Sequence, residues 1–423
     1  MKILIIGGGG REHAICWKIL RDDPDADIFI APGNAGTAGL GANLPIQAED
    51  VAGLVGWAGK ERPDLIVVGP EAPLCLGIVD LMQKEGLRVF GPSKEAAQLE
   101  GSKIFAKEIL FAAKVPTAGA EFFDDESKAL AYLREQEFPL VVKADGLAAG
   151  KGVVICHNLQ EAESAVRAAM SGNAFGSAGR KILIEECLEG REVSALAFVD
   201  GKKAVLLPTA CDHKRVFDHD EGKNTGGMGA FSPSPVENPV FTQSVLKKIF
   251  EPTIRELVRR GITYRGVLYA GLMLTRDGAK VLEFNCRFGD PETQAILPRL
   301  KGSLTAAMEA CIDGCLAQEH AACRTESCVC VVMTAGGYPD KYRKGDVISG
   351  LDKAGTLKDV IVFHAGTKME NNKVATSGGR VLGVTALAAN LAKAAQRAYE
   401  ATALIEFKDA HFRRDIAASA LGE

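Results

Sequence analysis

The residues 2–6, Lys2-Ile3-Leu4-Ile5-Ile6, form a short apolar run that stops at Gly7-Gly8-Gly9-Gly10. A helical pattern follows, with Ile15 and Ile19 four apart and Cys16 and Leu20 four apart. Residues 27–31 read as a second strand, 65–68 as a third and 88–90 as a fourth. Short strands alternating with helical stretches predict a parallel sheet with helices on both faces. Ligands bind such sheets at the carboxyl ends of the strands. Three loops leave those ends, at residues 7–13, 32–37 and 69–73.

The first loop invites a dinucleotide reading and fails it. The fingerprint G-x-G-x-x-G needs a third glycine for close helix–strand packing. Counting from Gly7 that position is Glu12, and from Gly8 it is His13. Glycines at a helix N-terminus still offer N–H groups to an anion, so a phosphate fits better than a whole dinucleotide. Arg11 and His13 fall in the first helical turn, within reach of such a phosphate; the plainer reading of each is a solvated surface residue.

Length and charge bound the rest. At about 150 residues per domain, 423 residues suggest three domains. Apolar residues at 47% and charged residues at 25% are proportions of a folded globular chain. Fifty Lys plus Arg against 54 Asp plus Glu leave a net charge of −4, with no overall attraction for nucleic acid or an anionic membrane. No stretch is apolar enough to span a bilayer, and the N-terminal run is too short for a signal peptide. Eleven cysteines cannot all pair, and none shows zinc-knuckle spacing. Reduced thiols and a cytoplasmic location are expected.

The middle of the chain carries the chemistry. Gly101-Ser102-Lys103 opens a helix, with Ser102 as its N-cap and Lys107 one turn beyond Lys103. An apolar run ending in Lys143 leads into Ala144-Asp145-Gly146-Leu147-Ala148-Ala149-Gly150-Lys151-Gly152, and a second run follows at 153–155. This is not a Walker A loop. Only three residues separate Gly146 from Gly150, Gly152 stands where the metal-binding hydroxyl should be, and a strand follows in place of a helix. Small residues still let amides close over phosphate oxygens, and Lys143 and Lys151 add positive charge. The expectation is a phosphate-covering lid; the plainer reading is a flexible hairpin without ligand.

Residues 181–188 read as a strand running into a turn at Glu189-Gly190, with Glu192 beyond. A strand edge of this kind suits adenine and ribose, although solvated glutamates there are common. In Val281-Leu282-Glu283-Phe284-Asn285-Cys286-Arg287, alternation puts Glu283, Asn285 and Arg287 on one face and Phe284 and Cys286 in the core. A carboxylate and an amide oxygen side by side suit Mg²⁺ already held by nucleotide phosphates. Arg287 beside them suits a carboxylate or phosphate. A solvated salt-bridged face is the alternative, but residues 288–294 continue the polar cluster. Asp212-His213-Lys214-Arg215 and Asn224-Thr225-Gly226-Gly227-Met228-Gly229-Ala230 are ordinary loops if read alone. No G-x-S-x-G elbow is present, which argues against a serine hydrolase. From 326 to 423 no catalytic constellation stands out; short strands and an alanine-rich helix at about 388–404 suggest a small α+β domain that closes or buttresses the site.

Taken together, these motifs resemble the phosphoribosylamine–glycine ligase family of the ATP-grasp superfamily, over about residues 1–415. The resemblance is carried by Gly9-Gly10-Arg11-Glu12-His13, by residues 31–37, 69–74, 143–152, 212–215 and 224–230, and most specifically by Arg287-Phe288-Gly289-Asp290-Pro291-Glu292-Thr293-Gln294. Gly8 and Arg191 are minor departures, where relatives often carry Asn and some carry an acid. The resemblance implies a mixed α/β and α+β multidomain fold: a Rossmann-like domain at 1–100, an ATP-grasp region at 101–325 (lid about 117–190, central domain about 191–325), and an α+β domain at 326–423. It implies that ATP activates glycine as glycyl phosphate and that 5-phosphoribosylamine then attacks, giving glycinamide ribonucleotide, ADP and phosphate. By the same resemblance, Arg287, Asp212, Lys214 and Asn224 form the catalytic set. Lys103, Lys143, Gly146, Gly150, Lys151, Gly152, Glu185, Glu186, Leu188 and Glu192 would hold ATP. Glu283 and Asn285 would hold Mg²⁺ or Mn²⁺. Gly9, Gly10, Arg11, Asn34, Glu71, Asp290 and Glu292 would bind substrate. A monomer acting on small molecules is expected, with no nucleic-acid or membrane partner. An ATP-dependent carboxylase should lack the 287–294 run, a nicotinamide oxidoreductase should bind that cofactor, and a nucleotide sensor should bind ATP without turnover.

Overall fold

The computed structural model describes residues 1–146, 152–171 and 181–422. The expected contacts of Gly150 and Lys151 therefore lie outside the described residues. Residues 1–90 form an all-parallel five-stranded sheet in the order Ala42–Asn43, Asp27–Pro32, Lys2–Gly7, Leu65–Val68, Val89–Phe90. Alternation within the strands splits their side chains between two cores. Ile3, Ile5, Leu65 and Val67 pack with Ile15 and Ile19 of helix Gly10–Asp22. Leu4, Ile6, Ile66 and Val68 pack with Leu54 and Ala58 of helix Val51–Glu61. Helices thus cover both faces, as the period-2 pattern of fully apolar strands requires.

Two antiparallel sheets follow. One orders Ala120–Phe123, Ile182–Glu186, Leu140–Ala144 and Val153–Cys156. The other orders Ala204–Leu206, Arg191–Asp200, Arg265–Thr275 and Gly278–Asn285. This second sheet is sandwiched. Leu196 and Phe198 join the core of the parallel sheet, while Ala195, Ala197 and Val199 face Ile109 and Leu110 of helix Lys103–Ala112. Ser102 caps that helix as expected, its hydroxyl accepting from Phe105 N–H at 3.1 Å.

The sheet of the last hundred residues is not built from them alone. Ser327–Thr334, Arg380–Ala388 and Val360–His364 are extended by Gly229–Ser232 and Cys211–Asp212. A cut near residue 326 therefore leaves two of the sheet's strands on one side and three on the other. No helix among the described residues is long and apolar enough to cross a membrane.

Candidate active site

The strand Gly278–Asn285 differs from simple alternation in one instructive way. Glu283 pairs with Gly271 but Val281 pairs with Leu272, so Leu282 is a bulge. The bulge lets Val281 and Phe284 both face the core. Glu283 and Asn285 still share the opposite face, and Phe284 and Cys286 are buried at 3% and 1% exposure. Arg287 lies past the strand's end, where its guanidinium meets four acceptors, among them Asn285 Oδ1, to which Nη2 donates at 3.4 Å. Nε donates to Glu71 at 2.8 Å, Nη2 lies 2.9 Å from Glu100, and Nη1 donates to the Phe288 carbonyl at 3.1 Å.

These groups open on one cleft of about 550 Å³ that also takes in Arg11, Lys103, Lys143, Asp212, Lys214, Asp290 and Glu292. Gly146 and Gly152 line it as well. Gly146 has φ +100°, a conformation open to glycine, and its carbonyl accepts from Lys103 Nζ at 2.9 Å.

The cationic wall is internally paired. Glu185, at 3% exposure, sits 2.8 Å from Lys143 Nζ and 3.2 Å from Lys107 Nζ. Lys107 also donates to Thr117 and to the Ala118 carbonyl, and burial, only partly offset by Glu185, lowers its pKa. Glu185 thus holds the two lysines while it also lines the cleft. Glu186 is exposed, Leu188 is half-buried, and Glu192 pairs with Lys214 at 2.5 Å; none of the three lines the cleft.

The acidic wall is left open. Among the described residues Glu283 makes no side-chain hydrogen bond or ion pair. Burial within the cleft walls would raise its pKa, but Lys214, Lys143, Lys103 and Arg287 outweigh it, so Glu283 stays ionised. Asp212 behaves oppositely. Burial, then the nearby charges of Glu292, Glu192 and Glu283, push it up to about 7 against the opposing pull of Lys214. Lys214 is held charged: burial opposes its charge, and Asp212, Glu192 and Glu283 outweigh it. Glu71 is held down at about 2, because the charges of Arg287 and Arg11 exceed the effect of its burial.

The N-terminal loop departs from expectation. The Gly9 N–H donates to Glu12 Oε2 at 2.6 Å, so a carboxylate of the chain already occupies part of the helix N-terminus. Glu12 also takes Arg11 Nε at 2.5 Å. His13 is buried: its Nδ1 accepts from the His364 N–H at 2.7 Å, and burial and then His364 lower its pKa to about 3. It docks the C-terminal region and is turned away from the cleft. Asn34 is committed in the same way, donating to Gly8 and His364 carbonyls and accepting from Gly36 and Thr37 N–H. Gly9 and Gly10 give close approach to the 287–294 run, since a Cβ on Gly10 would fall 2.6 Å from Gln294 Nε2. Asn224 is exposed beside the cleft, while its neighbours Thr225 and Gly226 line it.

Glu100, Tyr269 and Arg380 line the cleft and carry no local motif that marks them as functional. Lys107 was legible from its spacing, one turn after Lys103. Arg380 arrives from the C-terminal sheet, donating to the Gly226 and Asp290 carbonyls and lying 3.4 Å from the Asp290 carboxylate. With Tyr338, whose hydroxyl accepts from the Gly226 N–H, it is a contribution from the last hundred residues that sequence reading did not see.

Comparison with known proteins matches the chain along nearly its whole length. The phosphoribosylglycinamide synthetase family matches as three domains: the N domain over residues 1–100, the ATP-grasp (A) domain over 101–293 and the C domain over 328–419. The phosphoribosylamine–glycine ligase of Pseudomonas aeruginosa is 50% identical, covering 98% of this chain and 97% of that protein. The enzyme of the same name from Escherichia coli K12 is 49% identical, with 98% of each chain covered. The crystal structure of the Thermotoga maritima phosphoribosylamine–glycine ligase superposes with a TM-score of 0.87 at 34% identity, covering 99% of this chain and 100% of that one. A biotin carboxylase from Campylobacter jejuni shares the fold, with a TM-score of 0.75 at 14% identity over 100% of this chain and 95% of that one. All three domains in order, at half identity over nearly the full length, make the chain a member of the phosphoribosylamine–glycine ligase family.

Proposed function

We propose that the protein joins glycine to 5-phosphoribosylamine at the cost of ATP. A glycine carboxylate oxygen attacks the γ-phosphorus, ADP departs, and glycyl phosphate forms. The amine nitrogen of phosphoribosylamine then attacks the acyl carbon, phosphate leaves, and the nitrogen loses a proton to give glycinamide ribonucleotide.

The observation that carries this reading is one cleft with three kinds of wall. Lys103 and Lys143 offer charge to phosphates, and phosphoryl transfer depends mainly on such positioning and neutralisation. Arg287 offers its guanidinium to the glycine carboxylate, with Asp212 and Glu292 facing a cationic amine. Arg11, Glu71 and Asp290, which line the cleft beside Gly9 and Gly10, would take phosphoribosylamine. Glu186, Leu188 and Glu192 lie near the strand end proposed for adenosine. Lys214 keeps the acidic wall from self-repulsion, and Asn224 sits at its edge.

Glu283 and Asn285 fit a divalent ion: both are hard oxygen donors on one face, and the carboxylate has no competing protein partner among the described residues. Mg²⁺ or Mn²⁺ bound there would draw its other ligands from phosphates and water, and would neutralise charge on the transferring phosphoryl group. Phosphate release should be measured with ATP and Mg²⁺, adding glycine and phosphoribosylamine separately and then jointly. Release that needs both supports the ligase. Release equally fast without glycine would overturn it.

A further inference from the structure

Tyr269 stands opposite Asn285 in the ladder of the central sheet. Its hydroxyl does not point at solvent or at a cation. It donates to Glu292 Oε1 at 2.6 Å, and Ser194 Oγ donates to the same oxygen at 3.0 Å. The two hydroxyls lie 2.8 Å apart. All three residues are buried, at 6%, 2% and 3% exposure for Tyr269, Ser194 and Glu292. A distance of 2.6 Å matches a hydroxyl donating to an ionised carboxylate.

A buried carboxylate needs partners. Most buried acids of this chain take cations: Glu185 takes two lysines, and Glu100 takes Arg287. Glu292 takes neutral hydroxyls, which fix its position without cancelling its charge. Asp212 opens on the same cleft, so two carboxylates face one space, and among the described residues Glu292 has no direct cationic partner.

Resting on the ligase reading above, we propose that Tyr269 and Ser194 are positioning residues that aim Glu292, together with Asp212, at the ammonium group of the amino-acid substrate. Neither hydroxyl touches the reacting atoms; each acts through the carboxylate.

The test uses the full-length enzyme and the phosphate-release assay, with Tyr269→Phe, Ser194→Ala and the double variant. Loss of a hydrogen bond to a charged group corresponds to roughly a tenfold to hundredfold change in affinity. The KM for glycine should rise on that scale in each single variant, while the KM for ATP stays unchanged. The double variant should show less than the product of the two effects, because both bonds end on one oxygen. Inhibition by glycolate, which replaces the ammonium by a hydroxyl, should be unaltered. An unchanged glycine KM in both single variants, or equal rises for glycine and ATP, would overturn the proposal. Should Tyr269→Phe fold poorly, Ser194→Ala removes a bond to the same oxygen without touching the aromatic ring and decides alone. Wild-type enzyme lacking glycine-dependent turnover sinks the ligase reading; a glycine-dependent wild type with unresponsive variants sinks only this inference.

Discussion

The two walls of the cleft hold charge in opposite ways. On one, Lys107 and Lys143 share the buried carboxylate of Glu185, and the cations are satisfied before any ligand arrives. On the other, Glu283 has no partner among the described residues, Asp212 is pushed up to about 7, and Glu292 is met only by hydroxyls. The difference separates two jobs. Groups that the fold pairs internally, such as Lys143 and Arg287, are held at fixed positions before a ligand meets them, whereas a group left short of a partner, such as Glu283, keeps its full charge for a ligand.

The sharpest way to break this contrast is to exchange the two glutamates' fates. Glu185→Gln strips two buried lysines of their counter-charge, and breaking a buried pair costs about 3–5 kcal/mol. Denaturant unfolding should show that loss, and an unchanged midpoint would mean the pair is not structural. Glu283→Gln should behave in reverse. The midpoint should hold while kcat falls about 10²–10³-fold, the usual effect of removing one preorganised charge-stabilising group, or ~3 kcal/mol. Full turnover in that variant would place the metal elsewhere.

A smaller effect tests Asp212. With a pKa near 7 in the free site, a bound ammonium should favour the carboxylate and release about half a proton per glycine at pH 7. The release should grow towards pH 6 and vanish by about pH 9, where the group is already ionised. Calorimetry in buffers of different ionisation enthalpy reads it, and Asp212→Asn should abolish it. The sign for folding is the reverse of an ordinary acid. The folded form binds this proton more tightly, so the group's contribution to stability falls as pH rises from about 4 to 7. Smallest of all, Ser102→Ala removes the N-cap of the helix that carries Lys103 and Lys107, at about 1 kcal/mol. A larger loss would show that the bond from Ser102 Oγ to Asp145, at 3.0 Å, ties the cap to the chain just beyond strand Leu140–Ala144.

Much of the site was legible because its chemistry is local. The run from Glu283 to Gln294 keeps its donors within one strand end and one short helix, and side-chain alternation is enough to group Glu283 with Asn285. The same logic passed over a partner within the chain at the N-terminal glycines. Their N–H groups looked free for an anion, but Glu12, three residues on, takes one of them. His13 and Asn34 looked available because each sits in a loop at a strand's carboxyl end. Their partner, His364, is more than three hundred residues away and gives no local sign.

By itself the sequence determined the periodicities that build each sheet, the order of its loops, and the residue types that phosphates, a divalent ion and an amino acid require. Only the tertiary structure decided which charges are neutralised from within. That choice depends on desolvation and on contacts between distant segments: Arg380 against Asp290, Glu100 against Arg287, Tyr269 and Ser194 against Glu292. No spacing along the chain encodes such contacts, because burial is a property of the packed molecule.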